Sequence, residues 1–360
     1  MNLAKIFKNI DLIKVDGSLD LEINEINQDS RLVSKGDLFL CIKGSKLDGH
    51  QYLKHAAERG AVAAVVQDWP DNNHGLTIIQ VKDVAGSLKE IAGAFYGYPD
   101  RLLKLIGVVG TNGKTTSTYL VKSMLEASGY QVGLIGTIDN LIKDEVIHSN
   151  NSVTNTTPGM LELQKLFAKM VAAGVDYVVM EVSSHSISQG RVAGLKFAGG
   201  IFTNITQDHL DYHKTFEEYL RVKTKFFKDL APESWAAINH DDPHAGSIIA
   251  QTKAKVHTYG INNQASVRAE NIQVVQTGVS YSADTFKGKM DLALNLTGYF
   301  NVYNSLGVLT AGLAEGLKLD MVKEGLESVL IVPGRFQMLP ESKTFGVIVD
   351  YAHTPDGLEN

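Results

Sequence analysis

An apolar run from Leu102 to Ile106 leads into Gly107-Val-Val-Gly110-Thr-Asn-Gly113-Lys114-Thr115-Thr116 and then into a helical pattern; no other stretch constrains the chain as strongly. A buried strand brings the backbone to a turn that glycines let approach an anion, and the N–H groups and positive end of the next helix face that anion. This is the logic of a phosphate loop, with Lys114 reaching the β and γ phosphates and the Thr115 hydroxyl on Mg²⁺. Tyr119, Leu120, Met124 and Leu125 mark one apolar stripe of the helix, and Gly129 falls where a left-handed C-terminal cap belongs. The usual pattern has glycine at the position of Val108; here the glycines stand at 107 and 110, a variant of the loop.

Such a loop needs a sheet around it, and 360 residues, 44% hydrophobic and 21% charged, suffice for two or three globular domains. The formal net charge of −6, without a dense Lys/Arg block, argues against a general nucleic-acid binder, so the phosphate affinity is local. Cys41 is the only cysteine, which excludes an internal disulfide or a thiolate metal cluster and makes it a small apolar core residue of a protein in a reducing compartment. The segment Met1 to Val15 is broken by Lys5, Lys8, Asp11 and Lys14, and no run reaches the ~18 apolar residues of a membrane span, so a cytoplasmic enzyme is expected.

Residues 1 to about 100 read as a small α/β unit, with strands expected over 37–42, 61–66 and 76–81, a helix over 52–59, and a boundary at Tyr98-Pro99-Asp100. From 101 to about 333, strands rich in Val and Ile alternate with helices, the pattern of a mostly parallel sheet flanked by helices on both faces. Strands are expected over 103–109, 177–182, 200–203 and 236–239, followed by a β-rich stretch over 256–296. In such sheets ligands bind beyond the carboxyl ends of the strands, and polar clusters lie there. Val153-Thr154-Asn155-Thr156-Thr157-Pro158-Gly159 precedes a helix over 160–173, with Thr157 as its N-cap and Pro158 as its first residue, or with the cluster binding a ligand. Glu181-Val-Ser-Ser184-His185 follows an apolar strand and offers a carboxylate to Mg²⁺. Thr203-Asn204-Ile-Thr206-Gln-Asp208-His209-Leu-Asp211-Tyr-His213 follows Gly200-Ile-Phe and sets two histidines and two aspartates within six residues, as metal ligands without zinc spacing or as a solvated polar loop.

A helix over 216–230 turns at about 100° per residue, which gathers Phe216, Tyr219, Leu220, Phe226, Phe227 and Leu230 on one face with Lys223 near its centre. A lone ammonium inside an apolar stripe must snorkel, pair or be chemically neutralised. Asn301 and Asn304 precede an Ala/Leu/Gly-rich helix over 305–316 as caps or as readers of an adenine edge, and the chain closes with Arg335, a strand over 347–349 and Asp350-Tyr-Ala-His353-Thr-Pro355-Asp356.

With these motifs assembled the chain resembles the Mur ligases over its whole length, and within them the branch that adds the third amino acid of the peptidoglycan stem peptide. The resemblance rests on Gly110-Thr-Asn-Gly-Lys-Thr-Thr116, Glu181-Val-Ser-Ser-His185, Asp208-His-Leu-Asp-Tyr-His213 and Asp350-Tyr-Ala-His-Thr-Pro355, in that order. It implies a UDP-precursor-binding domain over 1–100, a central ATP-binding domain over 101–333, and over 334–360 the opening of a third α/β domain that members of the family continue. It implies ATP and Mg²⁺, with Gly110, Thr111, Asn112, Gly113, Lys114, Thr115 and Thr116 on the phosphates and Asn301, Asn304, Arg335 and Asp350 on the adenine, phosphate and ribose region. Thr115 and Glu181 would serve one Mg²⁺ and His209 a second, beside Lys223 carried as a carbamate. Ser30 matches a uridine contact, and Asn155, Thr156, Thr157, Ser184, Gln189 and Arg191 match contacts to the muramoyl dipeptide. The implied partners are UDP-N-acetylmuramoyl dipeptide, ATP and an amino acid that the sequence leaves open, taken by a monomer without nucleic-acid or membrane partners. A chain ending at Asn360 is then expected to be a fragment, largely inactive. Two rivals are a poly-γ-glutamate or cyanophycin-type ligase, against which the uridine-type segment 29–50 argues, and a non-catalytic nucleotide- or UDP-precursor-binding protein.

Overall fold

Apolar runs that are buried on both faces become parallel strands, and here they do so twice. A computed structural model of the chain describes residues 1–44, 47–147, 155–339 and 347–352. These divide into two compact units, Met1–Asp100 with Met160–Lys169, and Arg101–Gly159 with Met170 onward.

In the first unit, α1 (Leu3–Ile6), β1 (Leu12–Asp16), β2 (Ile26–Asn27), β3 (Leu38–Leu40), α2 (Leu53–Glu58), β4 (Ala63–Val66), β5 (Thr77–Val81) and α3 (Val84–Tyr96) follow in order. The five-stranded sheet runs β1-β5-β4-β3-β2, parallel except for β1. All residues of β3 and β4 are buried, and Cys41, fully buried just past β3, packs with Phe39, Ala64 and Ile78. Its burial pushes the thiol pKa up to about 12.

The second unit contains β6 (Lys104–Val109), α4 (Lys114–Ala127), β7 (Val132–Ile135), β8 (Asn140–Ile142) and β9 (Glu145–Val146). Next comes α5 (Met160–Ala172), whose Met160–Lys169 portion clusters with the first unit. Then follow β10 (Tyr177–Glu181), α6 (Ser184–Ser188), β11 (Phe197–Phe202), α7 (Leu210–His213), α8 (Phe216–Lys228), β12 (Trp235–Asn239), α9 (Ala245–Ile249) and β13 (Lys255–Gly260). The last elements are β14 (Val267–Val275), β15 (Gly278–Thr285), β16 (Gly288–Leu294), α10 (Tyr299–Glu315), α11 (Leu319–Ser328), β17 (Gln337–Leu339) and β18 (Val347–Val349). The eleven-stranded sheet runs β16-β15-β14-β13-β12-β11-β6-β10-β7-β8-β9. It is parallel from β14 to β7 and antiparallel at both ends. The β-rich stretch after residue 255 thus extends the central sheet.

Two helix starts differ from the sequence reading. Helix α5 begins at Met160, so Pro158 lies outside it, and the Thr157 hydroxyl donates to the Glu181 carbonyl at 2.8 Å instead of capping. Helix α10 begins at Tyr299, which puts Asn301 and Asn304 inside its first turns, buried. The asparagines are not caps: the cap is Gly298, with φ +99°. The described part of the expected third domain is the ribbon β17–β18, which groups with the second unit; two short strands cannot bury a core of their own. Among the described residues no helix is long and apolar enough to cross a membrane.

One packing detail places the site. A Cβ on Gly107 of β6 or Gly200 of β11 would lie 2.5 Å from the Phe226 ring, so α8 rests directly on the backbone of two adjacent central strands. Lys223, three residues earlier on the same helix face, is thereby held at the carboxyl edge of those strands.

Candidate active site

Strands β10, β6 and β11 lie side by side and parallel, and their carboxyl ends carry Glu181, the loop 110–113 and the segment from Thr203 onward. The loop turns into α4 at Gly113, in the left-handed region at φ +82°. A Cβ there would meet Asn304 Oδ1 at 2.2 Å, so both conformation and space require glycine. No side chain caps α4, and its first-turn amides, which lack intrahelical acceptors, are available to an anion.

Two lysines converge on one oxygen. Lys114 Nζ donates to the Gly110 carbonyl at 2.9 Å and to the Thr111 carbonyl at 2.7 Å. Lys223 Nζ, only 1% exposed, donates to the same Gly110 carbonyl at 2.5 Å and lies 4.6 Å over the Tyr219 ring. Desolvation holds Lys114 below the usual lysine range; Glu181 opposes this and Arg335 adds to it. Desolvation, then the charge of Lys114, holds Lys223 well below that range. The expected apolar face therefore exists, and on it Lys223 neither snorkels nor finds a carboxylate.

The end of β10 carries a buried acid whose charge acts on Lys114. Glu181 is 1% exposed and accepts from Thr115 Oγ1 at 3.0 Å, Thr137 N at 2.8 Å and Thr137 Oγ1 at 3.0 Å. Arg335 Nη2 donates to Thr115 Oγ1 at 2.9 Å, its Nε finds no partner among the described residues, and its guanidinium lies 4.9 Å over the Tyr351 ring. Thr115 and Glu181, two hard oxygen donors already in contact at the end of a phosphate loop, fit Mg²⁺. The rest of the expected metal set is not assembled: among the described residues no three His, Cys, Asp or Glu side chains gather to hold an ion. His209, with φ +53°, stacks edge-on to His185 at 4.9 Å and lies 3.4 Å from Asp208. Burial lowers the pKa values of His185, His209 and His213; Asp208 opposes this at His209, while Lys114 and Lys223 there, Arg191 at His185 and Lys223 at His213 add to it.

The residues matched to the dipeptide gather around the start of α6. Ser183 caps α6, and its N–H donates to Thr157 Oγ1 at 3.1 Å. Thr137 Oγ1 lies 3.1 Å from Thr156 Oγ1, and Arg191 Nη1 donates to the Thr157 carbonyl at 2.9 Å while its Nε and Nη2 engage Gln189. Buried Ser184 Oγ lies 2.9 Å from His213 Nε2. Asn155 is exposed, and Val153, Thr154, His353, Pro355 and Asp356 lie outside the described residues. In the first unit, buried Ser30 meets His55 Nδ1 at 2.9 Å. Of the residues matched to the nucleotide, Asn304 Nδ2 donates to Asn301 Oδ1 and Asn301 Nδ2 to the Thr297 carbonyl. The Asp350 carboxylate accepts from Phe336 N and Ala352 N, fixing the ribbon. Sequence reasoning missed Thr137, which holds Glu181; its signal was a Gly-Thr pair just past the apolar strand β7.

A family model described as the Mur ligase middle domain matches residues 108–312, and one described as the Mur ligase family, catalytic domain, matches residues 22–96. The chain is 44% identical over its whole length to a Clostridium acetobutylicum protein named UDP-N-acetylmuramoyl-L-alanyl-D-glutamate–2,6-diaminopimelate ligase 1, of which it spans 73%. A solved structure of a ligase of that name has a TM-score of 0.81 at 25% identity, with 99% of this chain and 72% of the other covered. The UDP-N-acetylmuramoylalanyl-D-glutamyl-2,6-diaminopimelate–D-alanyl-D-alanyl ligase of Acinetobacter baumannii shares the fold, with a TM-score of 0.70 at 20% identity over 94% of this chain and 70% of the other.

Proposed function

The chain belongs to the Mur ligase family, and on that premise we propose that it is an ATP-dependent amide ligase of peptidoglycan synthesis. It joins 2,6-diaminopimelate to the terminal carboxylate of UDP-N-acetylmuramoyl-L-alanyl-D-glutamate; the choice of amino acid follows the relatives' names. A cytoplasmic reaction goes with this reading, which uses ATP and a UDP-linked precursor. The observation that carries the reading is the pair of lysines on the Gly110 carbonyl together with the Thr115–Glu181 contact, both at the carboxyl ends of adjacent parallel strands.

The amides of Gly113 to Thr116 and the Lys114 ammonium receive the β and γ phosphates. Phosphate oxygens are stronger acceptors than the carbonyls Lys114 now uses. A substrate carboxylate oxygen attacks the γ-phosphorus, the bond to the ADP oxygen breaks, and an acyl phosphate forms. The amino-acid nitrogen then adds to the acyl carbon, phosphate leaves with its bridging oxygen, and the nitrogen loses a proton. Chain groups contribute by orientation and charge: Lys114 and Arg335 stabilise negative charge that shifts toward the acceptor. Thr115 and Glu181 would hold Mg²⁺, which when bound neutralises phosphate charge, and His209 would serve a second ion. Lys223 would be a carbamate: its neutral amine attacks the carbon of CO₂, an N–C bond forms as one C=O π pair moves onto oxygen, and a proton leaves the nitrogen. That anion would stand beside the Lys114 ammonium at Gly110 in place of a second lysine donor. Asn155, Thr156, Thr157, Ser184, Gln189 and Arg191 would bind the muramoyl dipeptide, Ser30 the uridine, and Asn301, Asn304 and Asp350 the nucleoside.

The test is phosphate release by the full-length protein, with products weighed by mass spectrometry. The reading expects ADP, phosphate and a UDP-muramoyl tripeptide only when ATP, UDP dipeptide and 2,6-diaminopimelate are all present. ATP turnover indifferent to the dipeptide would overturn it.

A further inference from the structure

Thr203 and Asn204, the first residues past β11, carry none of the roles above, yet they grip the phosphate loop. Asn204 Oδ1 accepts from Asn112 N at 2.9 Å, and Asn204 Nδ2 donates to the Asn112 carbonyl at 3.2 Å. One side chain thus reads both polar groups of one residue, as a neighbouring strand would. Thr203 Oγ1 donates to the same carbonyl at 2.7 Å, and the Asn204 carbonyl accepts from Thr111 N at 2.9 Å. The fit is close: a Cβ on Gly110 would lie 1.7 Å from Thr203 Oγ1 and 3.1 Å from the Asn204 carbonyl oxygen. With the Thr111 and Asn112 amides engaged by Asn204, the anion is left to Gly113 and the first turn of α4.

We propose that Asn204 is a positioning residue for the nucleotide: by clamping the Asn112 peptide it aims the amides from Gly113 onward at the polyphosphate and so sets nucleotide affinity. The inference rests on the phosphate-loop reading of residues 110–116. An unclamped loop must give up peptide orientations each time it binds, whereas the clamped loop is preorganised. A residue that only supported the fold would alter stability and both substrates alike.

The experiment is calorimetric titration of the full-length protein with Mg·ADP and, separately, with UDP-N-acetylmuramoyl-L-alanyl-D-glutamate. Asn204→Ala is expected to weaken Mg·ADP by about 5- to 30-fold, the equivalent of one or two hydrogen bonds, and to leave the dipeptide affinity unchanged. Asn204→Asp keeps the shape but turns a second oxygen toward the Asn112 carbonyl, so it should lose at least as much affinity. Lys114→Ala is the control for the premise. If it loses Mg·ADP while Asn204→Ala and Asn204→Asp bind like the wild type, the positioning role is wrong; if Lys114→Ala also binds like the wild type, the phosphate-loop reading falls and the inference with it. Should Asn204→Ala fail to fold, Thr203→Val removes a donor from the same carbonyl, and an unchanged Mg·ADP affinity there would equally overturn the proposal.

Discussion

Thr115→Val replaces a hydroxyl by a methyl of nearly the same shape and separates two roles of one side chain. In the free protein the Thr115 hydroxyl donates to the buried Glu181 carboxylate and accepts from Arg335. Glu181 keeps both contacts from Thr137, so it is left short of one donor rather than stranded. A hydrogen bond to a charged group contributes about 1.5–3 kcal/mol, while Arg335 can recover solvent contacts. The net loss of stability is therefore about 2 kcal/mol, roughly 30-fold in the unfolding equilibrium. Urea unfolding at neutral pH, with Thr115→Ser as the variant that keeps the hydroxyl, measures it. The same variant removes one of the two proposed ligands of Mg²⁺. ADP affinity should therefore lose its dependence on Mg²⁺ in Thr115→Val and keep it in Thr115→Ser. A Thr115→Val protein as stable as the wild type, with Mg²⁺-dependent ADP affinity intact, would refute both the buried contact and the metal assignment.

Lys223 gives a prediction with a sign. Its pKa in the fold lies well below its ordinary value, chiefly from desolvation. The unfolded chain therefore binds more protons between those two values, so stability rises with pH across that window and the full penalty stands below it. In CO₂-free buffer the stability of the wild type relative to Lys223→Met should increase as pH climbs toward the ordinary lysine range; a flat or falling difference contradicts the burial of an unpaired ammonium. For the dipeptide site, His213→Phe should raise the KM for the UDP dipeptide and leave that for ATP unchanged, because His213 meets Ser184 at 2.9 Å; equal changes in both would remove that orienting contact from the account. Cys41, fully buried with its thiol pushed up to about 12, should resist maleimide in the folded protein and react once denatured, which a mass measurement decides.

Local rules made much of this site legible. The strand, glycines and helix around Lys114 occupy neighbouring positions in sequence, so the loop could be read from one stretch, and the period of α8 placed Lys223 on a buried face. The extent of the confrontation at Gly110 was not legible, because it needs Gly107 and Gly200 to bring Phe226 onto two strands distant in sequence. Nor was Thr157 legible as a partner of the Glu181 carbonyl: next to a proline it has the pattern of a cap, and only the approach of β10 supplies the competing acceptor. The start of α10 was misplaced because Tyr299 to Asn304 have modest helix propensity, which burial of Val302 and of both asparagines overrides. Asn204 stood out only as part of a polar cluster past a strand, since a clamp on another segment's peptide leaves no spacing in the sequence.

The central claim is transfer of the γ-phosphoryl group of ATP to a substrate carboxylate. The most direct measurement supplies the full-length protein with UDP-N-acetylmuramoyl-L-alanyl-D-glutamate whose terminal carboxylate carries heavy oxygen, together with ATP, Mg²⁺ and 2,6-diaminopimelate, and weighs the released phosphate. An acyl phosphate predicts one heavy oxygen in each phosphate formed with tripeptide. Heavy oxygen found in AMP instead, or tripeptide formed with unlabelled phosphate, would contradict it.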